Sequence, residues 1–153
     1  MKLKHYFQKK KSSACGPVSL KIVFKYRGKT ISAQELIKEC KTTKGRGTSH
    51  KKMIEVSKKN GFKVKAKNKN SINDIIQNIN EKNPVIVNYI NPKSGRGHYS
   101  IIKDYNPKKE QLIFADPSNG NNFKMNFNDF NKRWFNKNKT SPQWMMVLKN
   151  QHR

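Results

Sequence analysis

Apolar residues near the start of the chain recur with the period of helices. Between Cys15 and Tyr26 they return every three or four positions, which predicts a helix with one buried face. Two further helices are expected, the first capped by Ser32 and the second by Thr48 or Ser49. The apolar stripes of these two helices are formed by Leu36, Ile37 and Cys40 and by Met53, Ile54 and Val56, respectively.

After Gly61 the pattern changes to the alternation that is typical of strands. From Phe62 to Ala66 apolar side chains alternate with lysines, as expected of a half-buried strand. One more helix is predicted where Ser71 and Asp74 form a capping pattern, and strands separated by turn residues follow it. The predicted strands cover residues 84–87, 99–105, 111–115, 123–127 and 144–148, with a short helix over 129–135.

This order of elements predicts the fold class. Helices come first and antiparallel strands second, so we expect an α+β domain in which N-terminal helices pack on a C-terminal antiparallel sheet. No internal repeat is found, and no connection is longer than about eight residues, as in one compact core. Residues 1–153 are therefore expected to form a single domain.

Charge adds a second interpretation. The chain has 34 Lys and Arg against nine Asp and Glu, a formal net charge of +25. Such a balance is typical of disordered chains and of nucleic-acid-binding proteins. The periodic apolar pattern argues against disorder, and the lysines are spread along the whole chain. We interpret the charge as a property of the surface, with non-specific attraction to polyanions or a basic nucleic-acid-binding protein as the alternative.

The sequence also predicts where the protein is found. No apolar run approaches the roughly 18 residues that would suggest a membrane span. The basic N-terminus is not followed by the apolar stretch of a secretory signal. A cytoplasmic protein without an integral membrane segment is therefore expected, and its two cysteines should be free thiols.

Most of the other polar and aromatic candidates are interpreted as structural. Cys40 lies on an apolar helix stripe, which indicates a core position. His5, His50 and His152 have no Cys or carboxylate at metal-ligand spacing, so neither a metal site nor a cofactor is expected. The aromatic residues interpreted as core side chains, and not as a platform for stacking bases, are Tyr6, Phe7, Trp134, Phe135 and Trp144, although Trp134, which follows Lys132 and Arg133, suits either role.

Cys15 is the first candidate for chemistry, because it stands at the predicted start of the first helix. A helix N-terminus carries partial positive charge and free N–H groups, which favour a thiolate over a thiol. Gly16 would permit the close approach of a substrate backbone, and Pro17 lacks an N–H that would have no partner there. The position suits either a nucleophile or a small buried residue.

His98 and Asp116 are predicted at the start of one strand and at the end of the next. If these strands pair antiparallel through the turn near Asn106, the two residues lie side by side, and the carboxylate can orient the imidazole. Singly, each has a structural explanation, since lone histidines and Asp-Pro turns are common. Together with Cys15 they form the arrangement of a cysteine peptidase.

Several motifs occur in an order that is found in a known family. They are Gln8, Ala14-Cys15-Gly16-Pro17 leading into Val18-Ser19-Leu20, Gly47-Thr48-Ser49, Gly97-His98-Tyr99 and Ala115-Asp116-Pro117. In these motifs the sequence resembles the papain-like double-glycine leader peptidases, whose best-known members process bacteriocin precursors. The resemblance covers about residues 5 to 149, nearly the whole chain.

The resemblance implies a papain-like fold and a cysteine peptidase that cleaves peptide bonds through a thioester. It implies Cys15 as the nucleophile, His98 as general base and then general acid, and Asp116 as the group that orients His98. Gln8 would stabilise the oxyanion together with the Cys15 backbone N–H. Acyl transfer to an amine would use the same residues.

The resemblance also bears on partners. The best-known members of the family are N-terminal domains of ATP-driven exporters, but the chain has neither a predicted span nor a phosphate-binding Gly-rich loop. A stand-alone peptidase acting on a peptide or protein substrate is therefore expected. The alternative within the same fold is a catalytically idle module that binds a peptide or partner.

Overall fold

The computed structural model describes residues 1–151, so His152 lies outside the described part of the chain. The elements in chain order are α1 (Cys15–Tyr26), α2 (Ala33–Glu39), α3 (His50–Lys59), β1 (Phe62–Lys67), α4 (Ile72–Asn80), β2 (Val85–Ile90), β3 (Gly97–Asn106), β4 (Gln111–Asp116), β5 (Gly120–Asn126), α5 (Phe127–Arg133) and β6 (Met145–Asn150). The predicted α+β class, with helices packed on an antiparallel sheet, is confirmed.

All six of these strands join one sheet, in the order β1-β6-β2-β3-β4-β5. Each neighbouring pair is antiparallel, and β6 enters between β1 and β2. The two strands that carry His98 and Asp116 are neighbours, with Ile101 opposite Ala115 and Asn106 opposite Gln111. The antiparallel pairing through the turn after Asn106 is therefore confirmed.

The sheet separates two apolar clusters. Ile86 packs with α1, α2 and α3 on one face, whereas its neighbours Val85 and Val87 pack with α4 and α5 on the other. This division follows from the strand geometry, because successive side chains point to opposite faces. Each fully buried aliphatic side chain contributes about 1.5–3 kcal/mol relative to exposure, so the sparse apolar residues are sufficient for a two-sided core.

Serine caps define where three helices begin. The Ser32 and Ser49 hydroxyls accept backbone N–H groups at the starts of α2 and α3, and Ser71 forms a complete capping box with Asp74 at the start of α4. Ser49, and not Thr48, is thus the cap of α3. The Thr48 hydroxyl instead lies 2.7 Å from the Thr42 hydroxyl.

The boundaries near β5 differ from the prediction. The strand begins at Gly120, where only a turn was expected, because Gly120 pairs with Asp116 as the β4–β5 hairpin closes. It ends at Asn126, and the predicted strand residue Phe127 begins α5. The reason is that the Asn126 side chain accepts the Asp129 N–H at 2.7 Å and so caps the helix, which ends before the predicted residue 135.

The aromatic predictions hold for the tryptophans but are wrong for Phe7. Trp134 and Trp144 are buried, and the Trp134 indole N–H donates to the Trp144 carbonyl at 2.9 Å. The Phe7 side chain is 66% exposed, although Leu3 and Tyr6 of the same N-terminal segment pack with one of the clusters. Between residues 1 and 151 there is no helix with the length and apolar character that crossing a bilayer requires.

Candidate active site

Cys15 is the first residue of α1, which packs against β3. The residue before it, Ala14, has no side chain that could cap the helix, so the first N–H groups of α1 have no partner from the cap side chain. The Tyr99 backbone N–H, from β3, lies 3.4 Å from the Cys15 sulfur and donates to it. The Cys15 side chain is half-buried and its thiol is free. Two sources of N–H groups therefore lie next to this sulfur.

Gly16 is explained differently from what the sequence predicted. A Cβ at this position would lie 3.0 Å from the Thr48 hydroxyl and 3.1 Å from the Met53 sulfur. The absence of a side chain at Gly16 therefore allows Thr48 and Met53 to pack closely against the start of α1, and the space is not left for a substrate backbone. This close packing connects the start of α1 to the loop that contains Gly47, Thr48 and Ser49.

His98 and Asp116 meet where β3 begins and β4 ends. The His98 Nε2 lies 2.8 Å from Asp116 Oδ1, and both side chains are buried. The Cys15 side chain lies close enough to the same imidazole to contribute to the raised pKa of His98. The structure thus brings together three of the four predicted site residues in the order thiol, imidazole, carboxylate.

The pKa values of the imidazole and carboxylate shift in opposite directions. Burial by itself lowers the pKa of His98, but the hydrogen bonds with Asp116 and Cys15 and their negative charges raise it above its usual range. Burial likewise raises the pKa of Asp116, but the His98 hydrogen bond and charge, with backbone N–H donors, hold it below its usual range. Both shifts favour an ionised Asp116 and a protonated His98.

Asp116 is fixed by groups that the sequence did not single out. Its Oδ1 also accepts the backbone N–H groups of Ser118 at 2.9 Å and Asn119 at 2.8 Å. Its Oδ2 accepts the hydroxyl of the buried Tyr89 at 2.8 Å. The two backbone contacts could have been found from the Asp-Pro-Ser-Asn turn sequence. The contact of Tyr89 with Asp116 has no such signal, because the two residues are far apart in the sequence and meet only in the folded structure.

Gln8 lies beside this turn. Its backbone N–H donates to the Pro117 carbonyl at 3.0 Å, and its side-chain carbonyl accepts the Ser118 hydroxyl at 2.9 Å. Its side-chain N–H donates to the Ser12 carbonyl at 2.9 Å. The structure thus ties Gln8 to the Asp116 turn, with its amide nitrogen directed at the loop that leads to Cys15.

Two other residues considered in the sequence are part of the packing. His50 stacks on Trp144 with ring centres 4.0 Å apart, its Nε2 lies 3.0 Å from the Asn88 amide nitrogen, and burial lowers its pKa to about 4. Cys40 is buried, and burial is the main cause that raises the pKa of its thiol to about 12. Within residues 1–151, no group of three or more His, Cys, Asp or Glu side chains is arranged to hold a metal ion.

Helices on an antiparallel sheet, with a cysteine at a helix N-terminus against a histidine of the sheet, are the fold of the papain-like cysteine peptidases. The model of the Peptidase_C39 like family matches residues 1–142. The chain therefore belongs to the Peptidase_C39 like family.

Solved structures agree with this assignment. The peptidase domain of Streptococcus ComA, a bifunctional ABC transporter involved in quorum sensing, is 26% identical, with a TM-score of 0.75 over 97% of this chain and 98% of that one. A double glycine motif protease from an AMS/PCAT transporter, solved with its leader peptide, is 16% identical, with a TM-score of 0.70 over 98% and 93% of the two chains. The search of curated proteins gave no match.

Like the double glycine motif protease, a third structure is similar to this chain in fold alone. It is the N-terminal peptidase C39 like domain of the toxin secretion ATP-binding protein from Vibrio parahaemolyticus, which is 14% identical. Its TM-score is 0.63, and the match covers 90% of this chain and 97% of that one.

Proposed function

We propose that the protein is a cysteine peptidase that hydrolyses peptide bonds through a thioester, with Cys15 as nucleophile, His98 as general acid and base, and Asp116 as the residue that orients His98. The observation that carries this proposal is that Cys15, at the N-terminus of α1, lies beside His98, whose Nε2 is hydrogen-bonded to Asp116. Membership of the Peptidase_C39 like family supports it.

In the first half of the reaction the peptide bond is exchanged for a thioester. The Cys15 thiolate adds to the carbonyl carbon and the carbonyl oxygen becomes an oxyanion. When the oxyanion collapses, the C–N bond breaks and protonated His98 gives its proton to the leaving amine. His98 Nε2 is hydrogen-bonded to Asp116, so Nδ1 is the ring nitrogen left to face the thiol and the amine.

In the second half water takes the place of the amine. Neutral His98 accepts a proton from water as the water oxygen adds to the thioester carbonyl. The second oxyanion collapses, the C–S bond breaks, and the carboxylic acid product leaves. The thiolate of Cys15 and the imidazolium of His98 are then restored. Asp116 stays ionised throughout, because its lowered pKa opposes protonation.

The oxyanion requires donors that point at the position of the substrate carbonyl oxygen. The Cys15 backbone N–H lies in the uncapped first turn of α1 and is one candidate. The Gln8 amide is the other, and its anchoring to Ser118 keeps it beside the site. Its nitrogen carries two N–H groups, so it can keep the Ser12 carbonyl as a partner and still donate to an oxyanion.

For the substrate, we favour a peptide with Gly-Gly before the scissile bond. This assignment rests on the resemblance to the double-glycine leader peptidases, and the family model and the 26% identical ComA peptidase domain support a peptidase. The double glycine motif protease, which was solved with its leader peptide, shares the fold. Release of a carboxylic acid distinguishes this hydrolysis from acyl transfer to an amine.

The test combines thiol labelling with peptide cleavage. Iodoacetamide should label Cys15 faster than Cys40, and mass spectrometry should find cleavage after Gly-Gly in a peptide library. Cys15→Ala should abolish cleavage, Cys40→Ala should retain it, and Gln8→Ala should lower kcat by about 10²–10³. Equal labelling of both thiols, or cleavage by Cys15→Ala, would contradict the proposal.

A further inference from the structure

Four surface segments lie near Cys15 and His98, either close to them along the chain or through a contact with a residue close to them. Residues 9–13 lead from Gln8 to Ala14, and the Gly45 N–H of segment 43–47 donates to the Ser13 hydroxyl at 2.9 Å. Segment 92–97 runs directly into His98. The backbone nitrogen of Lys137, in segment 136–140, would lie 3.7 Å from a Cβ at Gly97. We call these four segments the cationic rim.

The cationic rim has charges of one sign only. Each of its segments carries two or three Lys or Arg residues and no Asp or Glu, and all of these cations are exposed. The ion pairs of lysine with a carboxylate in residues 1–151 are formed elsewhere, on Glu39 and Glu55. The exposed acidic residues lie on α2, α3 and α5, directly after α4, and at the end of the β3–β4 hairpin away from His98.

The one carboxylate at the site does not offset the rim. Asp116 is fully buried, and its charge is paired with His98. A peptide that approaches the Cys15 sulfur therefore meets an uncompensated positive field. Such a field raises the association rate of anionic ligands and opposes cationic ones, without fixing the identity of any single residue.

Resting on the proposed peptidase function, we propose that the substrate is an acidic peptide, with Asp or Glu residues flanking the scissile bond. The carboxylates interact with the Lys and Arg side chains of the cationic rim while the scissile carbonyl is at the Cys15 sulfur. A peptide fits better than a nucleic acid, because the rim lies near the residues that would act on a peptide bond.

Matched fluorogenic peptides test the charge preference. The peptides end in Gly-Gly-aminomethylcoumarin and differ only in carrying Glu, Gln or Lys upstream. At low ionic strength kcat/KM should fall in the order Glu, Gln, Lys, with about tenfold or more between Glu and Lys. The ratio should approach one at about 1 M salt, where the Debye length is about 3 Å. Equal kcat/KM values at low salt would overturn the proposal.

Charge-reversed variants separate the rim from the net charge. Lys44→Glu with Arg46→Glu should lower kcat/KM for the Glu peptide and raise it for the Lys peptide. The matched control is Lys63→Glu with Lys65→Glu, which changes the net charge equally on exposed positions of the edge strand β1. Circular dichroism checks the fold of both variants. Equal effects in both would assign the preference to overall charge and overturn the role of the rim.

Failure of the proposed function gives a different result from failure of this inference. Cleavage without a charge preference would leave the peptidase standing and reject the acidic substrate. If no cleavage is found, fluorescence anisotropy of the labelled Glu and Lys peptides tests the charge preference by binding. Preferential binding of the Glu peptide would support the proposed role of the cationic rim, and equal binding would overturn it. A single-stranded oligonucleotide that displaces the Glu peptide at lower concentration, through Lys44 and Arg46, would overturn the choice of a peptide.

Discussion

Asp116 is the most constrained of the proposed site residues, because both of its oxygens accept hydrogen bonds from fixed donors. His98, Ser118 and Asn119 donate to Oδ1, and Tyr89 donates to Oδ2. A carboxylate held in this way cannot rotate without breaking contacts in a buried environment, where an unpaired polar group costs about 1–3 kcal/mol. The same contacts fix the plane of the His98 ring.

The first prediction concerns the charge of Asp116. Asp116→Asn removes the negative charge that raises the pKa of His98, so the pKa of His98 should fall. Since the imidazolium must persist for the acylation step, the alkaline limb of the kcat/KM profile should move to lower pH, by about one unit or more. A pH series with Asp104→Asn as the matched control on β3 checks this. An unchanged alkaline limb would show that Asp116 does not act on His98.

Tyr89 carries the second prediction. Tyr89→Phe keeps the buried ring but removes the donor to Asp116 Oδ2, so the carboxylate loses part of its orientation. We expect kcat to fall about tenfold with KM nearly unchanged, which corresponds to about 1.4 kcal/mol of the barrier. The proton resonance of the His98 Nε2–H should shift at the same time. A change in KM alone, with this resonance unmoved, would argue for packing only.

A site residue is predictable from the sequence when the evidence for it lies in neighbouring residues, and not when it depends on contacts between residues far apart in the chain. Cys15, His98 and Asp116 are predictable from the motifs around them and from where helices and strands begin or end. Tyr89 is not, because its contact with Asp116 depends on side chains of separate strands meeting across the sheet. The explanation of Gly16 also changes, since the packing of Thr48 against it requires knowledge of how α3 meets α1.

At the scale of elements, His50 connects α3 to the sheet. It begins α3, stacks on Trp144 just before β6, and contacts Asn88 on β2. Its burial lowers its pKa to about 4 from an ordinary value near 6.5. A protonated His50 would lose its acceptor for the Asn88 amide and place a charge in a largely apolar environment.

The third prediction is a pH dependence of stability that arises from His50. Between its folded and unfolded pKa values only the unfolded chain binds the proton, so the free energy of unfolding should fall as the pH falls through this window. Urea unfolding at pH values above and within the window measures the slope. His50→Gln should reduce it. An equal slope in the variant would show that other groups cause it.

Element types are more predictable than element boundaries in this chain. The apolar period changes at Gly61, and there the structure passes from α3 to β1. The two changes coincide because a helix and a strand that each bury one face require different spacings of apolar residues. The first part of β5 carries Asn121 and Asn122, which give no apolar alternation, and the strand forms because the hairpin aligns it with β4. Asn126 ends it by capping α5, a local contact that outweighs the apolar character of Phe127.

At the scale of the whole molecule, the order of the strands in the sheet cannot be predicted from the apolar periodicity of the sequence. The alternating pattern predicts that strands exist and which faces they bury. It does not specify that β6, the last strand, enters between β1 and β2. That position follows from the two-sided core, in which Met146 packs with α1 to α3 and Val147 packs with α4 and α5.

The last prediction concerns the net charge of +25. Self-repulsion destabilises the compact state, and salt screens it as the Debye length falls from about 30 Å at 0.01 M to about 8 Å at 0.15 M. The ion pairs that salt would weaken are the contacts of lysines with Glu55, which is exposed, and with Glu39, whose partner Lys59 is exposed, and such pairs contribute little. Repulsion should therefore dominate, and Tm should rise with salt.

Each kcal/mol of repulsion removed should raise Tm by about 2–4 °C in a chain of this length. Calorimetry across this range of NaCl measures the effect, with sucrose as a neutral co-solute for comparison. Lys63→Glu with Lys65→Glu lowers the net charge on the exposed edge strand, so it should begin from a higher Tm at low salt and gain less. A Tm that falls with salt would mean that attraction between surface charges outweighs repulsion, so that the charged surface stabilises the fold.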